Sequence, residues 1–390
     1  MQNTHFITLS TPSIAGREWE YVKQCLDTGW ISSAGSFVGR FEDEIAAYVG
    51  VQHAIAMSSG TAALHLALVV AGVEPQDEVL LPDLTFVATA NAVRYIDAHP
   101  VFIDVHPKSW QISPEVLGEF LESKCKVVDG QCVNTLTGRR VRALLPVHLL
   151  GHPCDMDRLT EICAGYNLTV IEDNAEGLGS LYKDRATGSF GTLAALSFNG
   201  NKIMTCGGGG MVLTDDPELA QQVRHLSTQA RVHAAEYSHD AVGYNYRLTN
   251  IAAALGVAQL ERLPEMLERK REIADRYRRE LIKEPGLEFF EEWGPVRSNF
   301  WLCAVSVVPE TYGKSSARVR ADLKNLGIEA RPLFQPLSLQ KPYRDCLRWG
   351  GDASVRIYER ALCLPSSAHL TAEQQGRVLD ALVRSATNGN

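Results

Sequence analysis

The chain has 390 residues, 45% of them hydrophobic and 22% charged, with a net charge of −8, a balance that suits a folded protein with one large domain and one smaller one. A mildly acidic chain without a long Lys/Arg cluster is a poor partner for nucleic acid or an anionic membrane, and no apolar run reaches the roughly 20 residues that span a bilayer. Nine cysteines lie scattered without C-x-x-C spacing, and Met1–His5 lacks a basic segment leading into an apolar core, so a reducing cytoplasm is the expected setting.

In chain order, short apolar runs alternate with helix-like segments. Strands are expected at His53–Met57, Glu78–Leu81, Val101–Ile103, Ala143–Val147, Thr169–Glu172, Ala194–Phe198 and Gly210–Leu213. Between them, Ala62–Val70 is rich in strong helix formers, and Leu159–Ala164 and Leu219–His225 carry apolar residues at helical spacing. This alternation predicts an α/β fold whose mixed, mostly parallel seven-stranded sheet is covered on both faces. After residue 250 the texture changes. An alanine-rich helix (Ile251–Leu260) precedes a charged one (Glu265–Leu281), followed by a strand at Phe300–Val308 and helices at Ser315–Leu326 and Thr371–Ser385. The expected division is a large α/β domain over residues 1–261 and a smaller α+β domain over 262–390.

Five segments are candidates for chemistry. Ser197-Phe198-Asn199-Gly200-Asn201-Lys202 ends an apolar run and leads through Cys206 to four glycines, Gly207 to Gly210. It offers an amine nucleophile, a hydroxyl and unhindered backbone in one turn, the parts that Schiff-base chemistry on pyridoxal 5′-phosphate (PLP) needs. It is no phosphate loop of the G-K-[ST] kind, because the lysine precedes the glycines. Met57-Ser58-Ser59-Gly60-Thr61-Ala62-Ala63 follows a strand and opens a helix, and is either a plain N-cap or an anion site. Asp173 and Glu176 follow an apolar strand, where ligands of open α/β sheets sit; Asp173 either caps the next turn or holds a pyridine nitrogen protonated. Phe86, also after a strand, is either core or a ring stacked on a cofactor. His148 and His152 follow a strand without further ligands at metal spacing, so no metal is expected; His148 is either a structural histidine or a polar group over the cofactor. No G-x-G-x-x-G follows a strand, which disfavours a Rossmann oxidoreductase.

Five ordered motifs together resemble the DegT/DnrJ/EryC1/StrS family of PLP-dependent sugar aminotransferases, of aspartate-aminotransferase (type I) fold. They are Ser-Gly-Thr-Ala-Ala-Leu at 59–64, Pro-Asp-Leu-Thr-Phe at 82–86, Ile-Glu-Asp-Asn-Ala-Glu at 171–176, Ser-Phe-Asn-Gly-Asn-Lys at 197–202 and Gly-Tyr-Asn-Tyr-Arg-Leu-Thr-Asn at 243–250. The resemblance runs from about Leu9 to the final helix. It implies that Lys202 joins PLP as a Schiff base and shuttles the substrate proton, that Asp173 pairs with the pyridinium nitrogen, and that Glu176 lies near the phenolic oxygen. It further implies that Phe86 stacks on the ring and that Gly60, Thr61, Ala62 and Ser197 hold the phosphate. Asn245, with Arg247 beside it, would reach the cofactor of a neighbouring subunit, giving a homodimer with shared active sites. The presence of Lys202 disfavours the dehydratase branch, which has histidine there.

Asp27–Ser33, the insertion Val127–Arg140 and Leu145–Pro153 are similar to LegC-type members, which act on nucleotide-linked 2-acetamido-4-keto-6-deoxyhexoses. The implied substrates are L-glutamate and a keto-sugar nucleotide, with Trp30, Ser32, His148, Arg247, Arg331 and Phe334 as sugar-nucleotide contacts. The family often reads Arg-Pro-Leu-Trp-x-Pro-x-His where this chain has Arg331-Pro332-Leu333-Phe334-Gln335-Pro336-Leu337-Ser338, a departure at two substrate-facing positions. The expected activity is amination at C4. The alternatives are a C3-keto-sugar or perosamine-type GDP-sugar aminotransferase, and a non-catalytic nucleotide-sugar-binding protein.

Overall fold

The seven expected strands lie side by side in one sheet. In the computed structural model, which describes residues 6–232 and 237–387, they are β1 (His53–Met57), β2 (Glu78–Pro82), β3 (His99–Ile103), β4 (Arg140–Leu144), β5 (Thr169–Asp173), β6 (Leu193–Ser197) and β7 (Gly210–Thr214). Their order across the sheet is β1-β7-β6-β5-β4-β2-β3; β7 runs antiparallel to both neighbours and every other pairing in this series is parallel. The strands bury both faces, as crossover helices require. Along β1, Ile55 and Met57 pack with Leu64, Leu66 and Leu68 of the helix Gly60–Val70. Ala54 and Ala56 face Phe41, Ile45 and Val257, from the helices Ser36–Val49 and Asn250–Glu261, on the other side.

Among the described residues the sheet holds ten strands rather than seven. Two belong to a hairpin, Cys125–Val128 and Gln131–Asn134, which pairs with β4. Its turn residues Asp129 and Gly130 both have positive φ (50° and 76°), the type I′ geometry that an Asp-Gly pair favours. The other is a two-residue strand, Arg348–Trp349, added parallel to β3.

Beyond the alanine-rich helix, a four-stranded antiparallel sheet forms from Leu287–Phe289, Cys303–Val307, Ala361–Leu364 and Arg331–Pro332. Val305, Val307, Leu362 and Leu364 share a core with Ile273, Tyr277 and Leu281 of the helix Leu263–Leu281 and with Val378 and Leu382 of the last helix. Contacts cross the 261/262 division in both directions: Ile7 bridges to Ile328, and Arg348–Trp349 extends the larger sheet.

Candidate active site

The carboxyl ends of β1, β2, β5 and β6 open onto one cavity of about 400 Å³, lined by Gly60, Thr61, Phe86, Asp173, Glu176, Ser197 and Lys202, together with Arg331 and Phe334. A parallel sheet places such a cavity here, because its loops leave from one edge. Ser59 caps the helix after β1, accepting a hydrogen bond from the Ala62 amide at 3.0 Å. The first-turn N–H groups then point out of the helix end, where its dipole favours an anion. Gly60 sits so close to Ser197 that a Cβ would lie 2.8 Å from the Ser197 Cβ. The two expected phosphate-holding segments are therefore neighbours, and no larger residue fits at Gly60.

Asp173 closes β5 and is 4% exposed. Its carboxylate accepts from the Thr89 hydroxyl at 2.8 Å and from the Ala175 amide at 3.2 Å. Burial pushes its pKa up, against the Thr89 hydrogen bond and the charge of Lys202, so the carboxylate is short of a cationic partner. Glu176 accepts from the Leu150 amide at 2.7 Å and from Lys202 Nζ at 3.4 Å; burial again raises its pKa and the lysine opposes the rise. The Lys202 amine lies 4.2 Å from the centroid of the Trp301 ring.

Trp301 was not legible as a site residue. It lies in the apolar run Phe300–Val308, where an aromatic reads as core. The strand there begins only at Cys303, because Phe300 takes a left-handed φ of 46° in a tight turn. Ser298 Oγ accepts from the Phe300 amide and Asn299 Oδ1 from the Trp301 amide, which turns the indole toward the lysine. Its own N–H donates to the Asn201 carbonyl at 2.6 Å. Asn299 in turn crowds Gly151, where a Cβ would fall 1.8 Å from Asn299 Oδ1.

Several expected residues stand elsewhere. His148 is fully buried below the cavity: its Nε2 donates to Glu172 at 2.8 Å and its Nδ1 accepts from the Cys154 amide at 3.1 Å, so neither nitrogen reaches a ligand. Both ring nitrogens are used within the protein, as the structural reading of His148 expects. The Ala62 amide donates to the Ser59 hydroxyl, and Ala62 is not among the residues that line the cavity. Trp30 and Ser32 lie off this cavity, where their carbonyls accept from the Asn250 side chain (2.7 Å) and amide (2.6 Å). Asn245 and Arg247 are exposed on a segment that passes beside the first helix turn, where the Tyr246 carbonyl accepts from the Ser58 amide at 2.6 Å.

The model of the DegT/DnrJ/EryC1/StrS aminotransferase family matches residues 12–383. The chain belongs to this family. It is 39% identical over 382 residues to a protein of Caulobacter vibrioides named GDP-perosamine synthase, covering 96% of this chain and 97% of the relative. It is 38% identical over 369 residues to a protein of the same name from Escherichia coli O157:H7, covering 95% of each. Among solved structures, one described as DesI in the presence of its TDP-sugar product superposes with a TM-score of 0.88 at 29% identity, covering 99% of this chain and 94% of that one. This aminotransferase is thus a PLP-dependent transaminase acting on sugars, on the type I fold expected from its motifs. The cavity suits PLP in chemistry. Gly60 opens a helix N-terminus directly beside the Ser197 hydroxyl, the buried Asp173 carboxylate has no ion-pair partner among the described residues, and an amine lines the same volume.

Proposed function

We propose that this aminotransferase moves the amino group of L-glutamate to C4 of a nucleotide-linked 4-keto-6-deoxy sugar, a UDP-linked 2-acetamido-2,6-dideoxy-4-keto-hexose or its GDP-linked analogue. The product would be a 4-amino sugar nucleotide for cell-surface glycans of the legionaminic acid or bacillosamine type, made in the cytoplasm. The observation that carries the reading is Lys202 and Asp173 lining one cavity together with Arg331 and Phe334. When bound, PLP supplies an electron-poor ring that stabilises negative charge at the amino-bearing carbon.

The chain's own residues do the rest. Asp173 holds a proton on the ring nitrogen, which restores the charge pairing its carboxylate lacks. Phe86, 52% exposed where it meets the cavity, offers a free face for stacking. Gly60, Thr61 and Ser197 bind the phosphate. Lys202 Nζ would take the proton from the donor's Cα and later deliver one to the carbon that receives the amine. Glu176 and the Trp301 face hold that amine in place. Arg331 lies 62% exposed at the rim, oriented by Glu329 Oε1 at 2.6 and 2.9 Å, and is placed to meet an anionic group of the sugar nucleotide.

Asn245, Arg247, Trp30 and Ser32, outside their own cavity, are assigned to a homodimer in which each subunit completes its neighbour's site. Residues 1–261 would form the PLP-binding domain and 262–390 the smaller one. A perosamine-type GDP-sugar reading is favoured by the two relatives named GDP-perosamine synthase. The test is 2-oxoglutarate release from L-glutamate with a panel of keto-sugar nucleotides. Turnover with the UDP-linked 4-keto sugar, or with GDP-linked 4-keto-6-deoxyhexose, separates the two C4 readings; turnover with 3-keto sugars alone overturns both.

A further inference from the structure

Asp83, in the motif Pro82-Asp83-Leu84-Thr85-Phe86, has no part in the chemistry above. It is nonetheless completely buried and heavily used. Its Oδ1 accepts from the Ser338 amide at 2.8 Å; its Oδ2 accepts from the Ser338 hydroxyl, the Ser354 hydroxyl and Arg348 Nε, each at 2.9 Å. Its backbone is fixed separately, the N–H donating to the Ile103 carbonyl and the carbonyl accepting from the Leu337 amide. A second buried carboxylate, Asp104 at the end of β3, accepts from the Ala353 and Ser354 amides at 2.9 Å and faces Arg348 at 3.6 Å. Arg348 thus stands between two carboxylates, in the strand that extends β3.

These contacts join one stretch of the C-terminal half to the end of the larger sheet. On one side, Arg331 and Pro332 pair with Cys363 and Leu362. On the other, Leu337 and Ser338 are held by Asp83. Phe334 hangs in the short span between these anchors, flanked by Pro332 and Pro336, whose rings fix φ. Its ring lies 5.5 Å from that of Phe86, three residues beyond Asp83, and both rings line the cavity.

We propose that Asp83 is a positioning residue for the acceptor: its carboxylate sets the gap between Phe334 and Phe86, and so the seat of the keto-sugar nucleotide, while leaving the lysine end alone. Ser338, where the family often has histidine, serves this tie instead of facing substrate. The inference rests on the sugar-transaminase reading and adds a residue to it.

The test separates the two half-reactions in the dimeric holoenzyme. Asp83→Asn keeps the shape but sets an amide among the donors that the carboxylate satisfies. Loss of the tie raises KM for the UDP-linked 2-acetamido-2,6-dideoxy-4-keto-hexose about tenfold, with kcat, the cofactor absorbance and the rate of its conversion by L-glutamate within about twofold of wild type. Phe334→Ala gives a similar rise. Because Asp83 acts through Phe334, the double variant is no more than about twofold worse than Phe334→Ala alone. Rises that multiply to about a hundredfold overturn the proposal, as does a parallel fall in both half-reactions. Should Asp83→Asn not fold, Ser338→Ala/Ser354→Ala removes two of the ties and must raise the same KM, or the proposal fails. A wild-type enzyme that converts its cofactor with glutamate but transfers no amine to any keto sugar sinks the underlying reading; one that does both, with an unchanged KM in Asp83→Asn, sinks only this inference.

Discussion

Glu172 and Asp173 are neighbours on one strand and have opposite fates. Side chains alternate across a strand, so the two carboxylates leave β5 on different sides. Glu172 turns into a closed polar knot: it accepts from His148 Nε2 (2.8 Å) and from the amides of Gly188 (2.8 Å), Phe190 (2.7 Å) and Gly191 (2.8 Å). Burial alone would push its pKa up, but these donors outweigh burial and leave it below the ordinary value. Asp173 turns toward the cavity, meets only two donors, and has its pKa raised by the same burial. Similar burial and identical charge thus give one carboxylate closed in by donors and one that lines the cavity with few. The number of donors decides which.

Three substitutions at and around this pair, with a control at the lysine, would break or sharpen that contrast. The largest effect is expected at Lys202→Ala, which removes the amine proposed to move the proton: turnover falls by more than about a thousandfold, or about 4 kcal/mol, with the melting temperature little changed. Steady-state kinetics beside a thermal melt would check both halves. Next comes Glu172→Gln. It sets an amide NH2 among four buried donors that the carboxylate satisfies and should cost about 3 kcal/mol of stability, read from denaturant unfolding, while folded protein keeps its turnover. Asp173→Asn should do the reverse. Activity falls about a hundredfold if the ring nitrogen loses the carboxylate proposed for it, yet the cofactor-free protein is at least as stable as wild type at pH 7. An apo Asp173→Asn protein that unfolds as readily as Glu172→Gln would show that the two carboxylates are alike. The smallest effect belongs to Trp301→Leu, about tenfold on turnover, since it leaves the amine in place and removes only the ring beneath it.

The signs carry over to pH. A depressed carboxyl stabilises the fold above its unfolded pKa, and that contribution is lost as acid protonates it, so Glu172 contributes to acid unfolding below about pH 4. A raised carboxyl works the other way: the contribution of Asp173 to apo stability falls as pH rises through the carboxylate range. A cofactor whose ring carries a proton there would recover that loss. Melting curves of apo and PLP-loaded protein between pH 4 and 8 should therefore diverge as pH rises.

Much of this was legible in the residues. The seven runs read as strands are the seven central strands, because apolar runs bounded by turn residues have few other uses in a two-sided sheet. The lysine, the aspartate and the glycine-bearing helix start could be read together because each follows a strand at the same sheet edge. Three things resisted. The hairpin at 125–134 carries an Asp-Gly turn that signals it, but its strands have only four residues each. Arg348–Trp349 is too short to show any period, and its place comes from two distant carboxylates. His148 and Trp301 are ambiguous by type alone, and only burial and partners decide that one is structural and the other faces the amine.

The central claim is that the Lys202 amine is the point at which PLP joins the chain. Borohydride reduction of the PLP-loaded protein, digestion and mass spectrometry locate the fixed cofactor directly. The account predicts the added mass on the peptide containing Lys202 and on no other lysine. Label on a different lysine, or none on a protein that still turns over, would contradict it.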